Sequence, residues 1–272
     1  MAEDPRFMTV DGDPLFTVLH TPAAAATHGI VCCHPLGEEK LWSHRVFVSF
    51  ARELADRGFA VMRFDFRGEG DSGRDFAQSD LETRVADVDA AIAALRAAVP
   101  GLTSVSLVGL RFGGSIAALA ASRRDDIARV IVWDPVPDGA AYMQSVLRIN
   151  IAAQMALHRK VITDREAMVA SLEAGRTVNI EGYDLGLALY KAASGLLLAD
   201  VLPRYPGPTL LVQIGAETLP PRKDLAALAA ASPAIETRNA PEEPFWREIK
   251  TFYQRADRLF QVTLDWLEAK AS

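Results

Sequence analysis

Arg111 stands at the centre of Gly109-Leu110-Arg111-Phe112-Gly113-Gly114. The glycine spacing fits a sharp strand-to-helix turn that lifts one side chain above a sheet as a nucleophile. Such an elbow needs small residues on both sides of its tip, because neighbouring side chains would collide, and Gly109 and Gly113 supply that room. Nucleophilic acyl transfer at the tip would require a hydroxyl or thiol, an imidazole to take its proton and a carboxylate to orient the imidazole. A guanidinium stays protonated and offers only hydrogen-bond donors, so Arg111 cannot attack a carbonyl. The five histidines are His20, His28, His34, His44 and His158. Ser115 lies one turn into the following helix, and Cys33 ends an apolar strand with His34 pointing the other way, so neither replaces the missing nucleophile.

The elements around the elbow read as a layered α/β protein. Val105, Leu107 and Val108 form an apolar strand before it, and Ile116, Leu119 and Ala120 continue a helix after it. Upstream, Phe7 to Val10 and Leu15 to Leu19 flank the hairpin chemistry of Asp11-Gly12-Asp13. Strands are expected at Gly29 to Cys33, Phe59 to Phe64, Ser104 to Leu110, Val130 to Trp133 and Thr209 to Ile214. Helices between them carry Phe47, Phe50 and Leu54 on one face, and Leu81, Val85, Val88, Ile92 and Leu95 on another. The last helix places Leu259, Val262 and Trp266 on one side. This alternation predicts a mostly parallel central sheet with helices on both faces. From 137 to 207 the strand rhythm stops and the pattern turns helical, with Met143, Leu147 and Ile151 on one face. The segment is too long for an unstructured connection. It is expected to form an inserted helical cap over the carboxyl ends of the strands, leaving 1–136 and 208–272 as the core.

Composition narrows the partners. A net charge of −6 with interleaved acids and bases gives no basic stripe for nucleic acid. The amino terminus lacks a basic start followed by an apolar stretch, and no apolar run approaches membrane-spanning length, so no membrane partner and a cytoplasmic location are expected. Cys32 and Cys33 are adjacent and fit a reducing compartment. No metal-ligand spacing or nucleotide-binding glycine pattern occurs, so neither metal nor cofactor is expected.

Three landmarks besides the elbow resemble the α/β-hydrolase superfamily. Cys33-His34-Pro35-Leu36-Gly37 is similar to the loop that supplies a backbone oxyanion donor, and Asp65-Phe66-Arg67-Gly68-Glu69-Gly70-Asp71-Ser72 resembles the superfamily's D-x-R-G-x-G-x-S turn. Glu217 lies near the usual acidic position after its strand. Within the superfamily, the chain most resembles the second, serine-aminopeptidase-like hydrolase type associated with exosortase A systems, which accompany exopolysaccharide loci in bacteria. That likeness rests on Pro35 before Glu38-Glu39, on Ser43 and Arg45, and on the Gly109-Leu110-Arg111 elbow. It extends to Gly182-Tyr183 with Leu185 and to Pro244-Phe245-Trp246. The resemblance implies an α/β-hydrolase fold with a cap and an arginine elbow as a feature of the type. It also implies the chain order serine, acid, histidine, and this chain has no histidine beyond residue 158.

A guanidinium shielded from water at a helix amino terminus requires a negative partner. Glu38, Glu39, Glu217 and Glu242 are the candidate internal carboxylates. A carboxylate, phosphate or sugar acid clamped by Arg111 is the candidate ligand. Arg111 and Glu217 thus occupy the nucleophile and acid positions. His34, Leu36, Gly37, Glu38, Glu39, Phe112 and Trp246 are the expected ligand contacts, although Phe245 and Trp246 also read as core at the start of the last helix. Asp65 and Asp134, at strand ends, read as acceptors for turn amides. The leading expectation is a hydrolase-fold binder of a small anionic or sugar-derived molecule without serine-hydrolase turnover. The alternatives are unconventional esterase, thioesterase, lyase or transferase chemistry using Arg111 and a glutamate, and a protein-interaction scaffold; whether any reaction is catalysed stays open. A homo-oligomer is compatible with the sequence.

Overall fold

The computed structural model describes residues 1–248 and 253–270. β1 (Ala2–Val10) and β2 (Asp13–Thr21) form the expected hairpin, each longer than its apolar pattern. The chain then alternates through β3 (His28–Cys33), α1 (Glu38–Asp56), β4 (Ala60–Phe64), α2 (Leu81–Ala98), β5 (Ser104–Leu110), α3 (Phe112–Ala121) and β6 (Ile127–Trp133). Next come α4 (Gly139–His158), α5 (Arg165–Glu173), a hairpin of β7 (Val178–Ile180) and β8 (Tyr183–Leu185), α6 (Leu187–Ser194) and α7 (Leu198–Val201). β9 (Thr209–Gly215), α8 (Lys223–Ala231), β10 (Ile235–Pro241) and α9 (Asp257–Ala269) follow.

The main sheet runs β1-β2-β4-β3-β5-β6-β9-β10, antiparallel across β1, β2 and β4 and parallel thereafter. Neighbouring residues of a strand face opposite layers. Ile30 and Cys32 therefore pack with Phe47, Phe50 and Leu54 of α1 and Leu259 and Phe260 of α9. Val31 and Cys33 pack with Val88, Ile92 and Leu95 of α2 and Ile116 of α3. Val262, read as buried, is only partly covered. From β3 the chain crosses to β4 on one side, and from β5 to β6 on the other. The crevice at the carboxyl ends of β3 and β5 is thus a topological switch point, where ligands bind in open α/β sheets.

The segment between β6 and β9 starts and ends side by side, because Asp138 bridges Leu197 and the Gly139 amide donates to the Leu196 carbonyl at 2.9 Å. Its Met143, Leu147, Leu185 and Leu189 are buried in the same apolar cluster as α2 and α3. The β7–β8 hairpin is an addition to the helical expectation.

Two histidines set a pH dependence for the fold. Burial holds His20 and His28 down at about 4, with Arg63 and Arg129 adding to the effect, against an ordinary value of 6.5. The unfolded chain therefore takes up these protons first as pH falls, so stability present above about pH 6.5 is lost toward about pH 4. Thermal midpoints should fall by roughly several degrees between about pH 7 and about pH 5, with a shallower slope in His28→Gln.

Candidate functional site

Arg111 occupies the tip between β5 and α3 with φ 53° and ψ −125°, a conformation few non-glycine residues adopt. Its amide donates to the Trp133 carbonyl at 2.8 Å, and its carbonyl accepts from the Gly114 amide at 3.0 Å. The flanking glycines are sterically required. A Cβ on Gly109 would lie 2.5 Å from the Gly114 backbone, and one on Gly113 would lie 2.2 Å from the His34 carbonyl oxygen.

The guanidinium is already engaged. Its Nε donates to Glu39 Oε1 at 3.3 Å and one terminal nitrogen donates to Asp134 Oδ2 at 3.0 Å. It also lies near two aromatic faces, its carbon 5.4 Å from the Trp246 centroid and 5.6 Å from that of Tyr142. Tyr142 donates its hydroxyl to Glu39 Oε2 at 3.0 Å and stacks on Phe112 at 5.3 Å. Burial pushes the Glu39 and Asp134 carboxyls up, opposed by the Arg111 charge. At Arg111 burial pulls down but is outweighed by Glu39 and Asp134, which hold the guanidinium above its ordinary value.

Of the four expected carboxylates, only Glu39 reaches Arg111 among the described residues. The second partner is Asp134, which by sequence reads as an acceptor for turn amides. It directly follows β6, the strand beside the elbow's own strand, so parallel register delivers its side chain to Arg111. Adjacency of two strand ends was the signal available in the sequence. Glu217 is exposed after β9, beside a separate hollow with Gln213 and Asn239. Glu242 instead accepts from the Arg258 amide at the start of α9, at 2.8 Å.

The other expected contacts separate into two groups. Leu36, Gly37, Glu38 and Glu39 line a cavity of about 50 Å³ together with Phe76, Tyr142, Val146, Ile149, Glu181, Tyr183 and Leu185. His34 and Phe112 do not reach it. The His34 ring is buried against Phe47 at 4.4 Å, and burial holds its imidazole well below the ordinary range, so it is a neutral core group. Phe112 is spent supporting Tyr142. Trp246 lies in the loop after β10, ahead of α9, and covers Arg111 rather than lining the cavity.

A buried ionic frame holds the loops around this cavity. Glu69 Oε1 accepts from the Gly37 amide at 3.3 Å and from Arg84 at 2.8 Å, tying the turn after β4 to the loop after β3. Lys40 pairs with Asp65 at 2.8 Å, and Arg67 donates its Nε to Asp87 at 2.6 Å. Ser72 donates to the Asp65 carbonyl at 2.5 Å and accepts from the Phe16 amide, so it closes its turn.

Ser145 of α4 lines the cavity, but its hydroxyl donates to the Tyr142 carbonyl at 2.6 Å and no histidine lies beside it there. Ser115 is fully buried and donates to the Val136 carbonyl at 3.2 Å. Cys33 is fully buried, and burial with Cys32 beside it pushes its thiol up. The described residues contain no group of His, Cys, Asp and Glu suited to hold a metal ion.

A family model described as serine aminopeptidase, S33, matches residues 25–238. Among solved structures, the chain is similar to the esterase Est1E from Butyrivibrio proteoclasticus bound to ferulic acid. That match has a TM-score of 0.68 and 18% identity, covering 98% of this chain and 100% of the other. It is also similar to a proline iminopeptidase from Mycobacterium smegmatis, with a TM-score of 0.64 and 17% identity over 98% of both chains. A thioesterase domain from the curacin biosynthetic pathway matches with a TM-score of 0.60 and 16% identity, over 97% of this chain and 100% of that one. No curated protein sequence matches the chain significantly. Likeness at these identities establishes the shared fold, with its mostly parallel sheet covered on both faces.

Proposed function

Because the chain belongs to the serine aminopeptidase S33 family of the α/β-hydrolase superfamily yet presents Arg111 at its elbow, we propose that it binds a small molecule without serine-hydrolase turnover. One observation carries this reading: the guanidinium at the nucleophile position is bonded to both Glu39 and Asp134. The elbow therefore supports a closed ion pair beside two aromatic rings, and neither Arg111, Ser115 nor Cys33 offers an activated nucleophile there.

The ligand chemistry follows from the cavity rather than from Arg111 alone. With its charge met by two carboxylates, Arg111 has little attraction left for an added anion, and it does not line the cavity. The cavity wall is apolar and carries Glu38, Glu39 and Glu181 with no lysine or arginine. This favours a compact apolar ligand bearing an amine or another hydrogen-bond donor over the anionic molecule expected from the sequence. On this reading, residues 137–207 act as the cap, because α4 and the β7–β8 hairpin supply the wall opposite Leu36 and Gly37. The resemblance to the exosortase-associated type extends the proposal to a cytoplasmic role beside exopolysaccharide production.

The named relatives favour one competing reading, an esterase or thioesterase. It would need a nucleophile and a base from outside the usual triad positions.

Calorimetric titration with ethylamine and with acetate, both small enough for the cavity, separates the ligand classes. Ethylamine should bind, and Glu38→Gln and Glu181→Gln should each weaken it by about tenfold. Tighter binding of acetate, weakened by Arg111→Gln, would instead return the site to an anion.

A further inference from the structure

The last turn of α4 and the turn beyond it expose Met155, Leu157, Val161 and Ile162, with Leu157 77% and Ile162 60% accessible. Four large apolar side chains within eight residues form a patch, unlike apolar residues scattered singly over a surface. The stretch is also basic in an acidic protein. From residue 139 to 163 there is no aspartate or glutamate, while Arg148, His158, Arg159 and Lys160 are present. Among the described residues, Arg148, Arg159 and Lys160 have no carboxylate within ion-pair distance, and Asp164 and Glu166 follow the tip at the start of α5.

A few bonds brace the backbone of this tip. Gln154 accepts from the Ile162 amide at 2.6 Å and from the Thr163 amide at 2.8 Å, and donates to the Thr163 carbonyl at 2.9 Å. The Arg159 amide donates to the Met155 carbonyl at 3.0 Å with Arg159 in the left-handed region. These bonds fix the turn that carries Val161 and Ile162 outward, while the Lys160 and Val161 amides have no protein partner among the described residues.

We propose that this tip is a docking element for an anionic lipid surface. Leu157, Val161 and Ile162 would enter the interface, while Arg159 and Lys160 meet the headgroup charge. An acidic protein partner would be drawn to the same cations, but four side chains on one turn fall short of the roughly 800 Å² a side that a stable protein interface buries, whereas shallow insertion into a lipid interface needs only a few apolar side chains beside basic ones. No helix among the described residues is long and apolar enough to cross a membrane, so the contact is peripheral. It revises the expectation of no membrane partner, which considered only spanning segments.

The test is co-sedimentation of the full chain with phosphatidylcholine vesicles, with and without phosphatidylglycerol. The protein should pellet with the anionic vesicles at low salt and be released as salt rises. Leu157→Asp with Ile162→Asp, and separately Arg159→Glu with Lys160→Glu, should each weaken retention by about tenfold or more at an unchanged thermal midpoint. The proposal fails if the anionic vesicles retain nothing, if neutral vesicles retain the protein equally, or if both variants bind as the parent does. It also fails if sedimentation velocity shows a dimer that the aspartate variant dissolves, since a second copy would then cover the patch.

Discussion

Asp87→Ala is expected to lower the thermal midpoint by roughly 10 °C, the largest effect of any conservative truncation near the crevice. Asp87 Oδ1 accepts from Arg67 Nε at 2.6 Å and its Oδ2 accepts from the Arg67 amide at 2.9 Å, with both side chains sealed from water. Truncation leaves a permanently charged guanidinium in the core. Its remaining partners would be the Val10 carbonyl at 2.9 Å, the exposed Asp11 at 3.1 Å and Asp13 at 3.7 Å. Breaking a buried pair on one side typically costs about 3–5 kcal/mol, because the surviving charge keeps its desolvation penalty without its compensation. Asp87→Asn should lose less, since its amide oxygen still accepts from Arg67. Thermal denaturation followed by circular dichroism measures both, and a midpoint within about 2 °C of the parent for Asp87→Ala would contradict the buried frame.

Arg111→Ala is expected to produce the second largest loss, with a pH dependence that identifies its origin. Removing the guanidinium leaves Glu39 and Asp134 facing each other without a cation, and burial already pushes both carboxyls up. About 1–3 kcal/mol is expected near neutral pH, below the value for a sealed pair because water reaches part of the cluster. With their folded values raised further above the unfolded ones, these carboxyls destabilise the fold above the folded value. The penalty fades as pH falls toward the unfolded values, where both states are protonated. The difference between parent and variant should therefore narrow from about pH 7 to about pH 5. A difference that stayed constant would point to lost packing against Tyr142 and Trp246 instead.

The legible parts of the molecule were those written in local pattern. The stripe Leu81, Val85, Val88, Ile92 and Leu95 is buried along α2, and the apolar strands β3, β4, β5 and β9 form where their runs occur. β10 escaped because it is an edge strand: Glu236, Thr237, Arg238 and Asn239 leave no alternating face to read. α8 escaped because Lys223–Ala231 is dominated by alanine, which marks helix propensity without marking a face. At the site, the elbow and the Arg111–Glu39 pairing could be anticipated from residue chemistry. Tyr142 has no such signal, Asp134 reads as a turn acceptor and Trp246 as a ligand contact; their convergence on Arg111 comes from the strand order and the packing of α4. The acidic wall of the cavity depended in the same way on Glu181, in the turn of a two-strand hairpin that the sequence did not announce.

The central claim is that a fixed cation, held by Glu39 and Asp134, takes the place of a nucleophile. Treatment of the native protein with a fluorophosphonate probe, followed by intact-mass measurement and peptide mapping, tests it most directly. The expected result is no adduct at any serine or cysteine, with Ser115 and Cys33 unmodified. A stoichiometric phosphonyl adduct on one residue of the crevice, blocked by prior unfolding, would show that an activated nucleophile exists and that this account of the elbow is wrong.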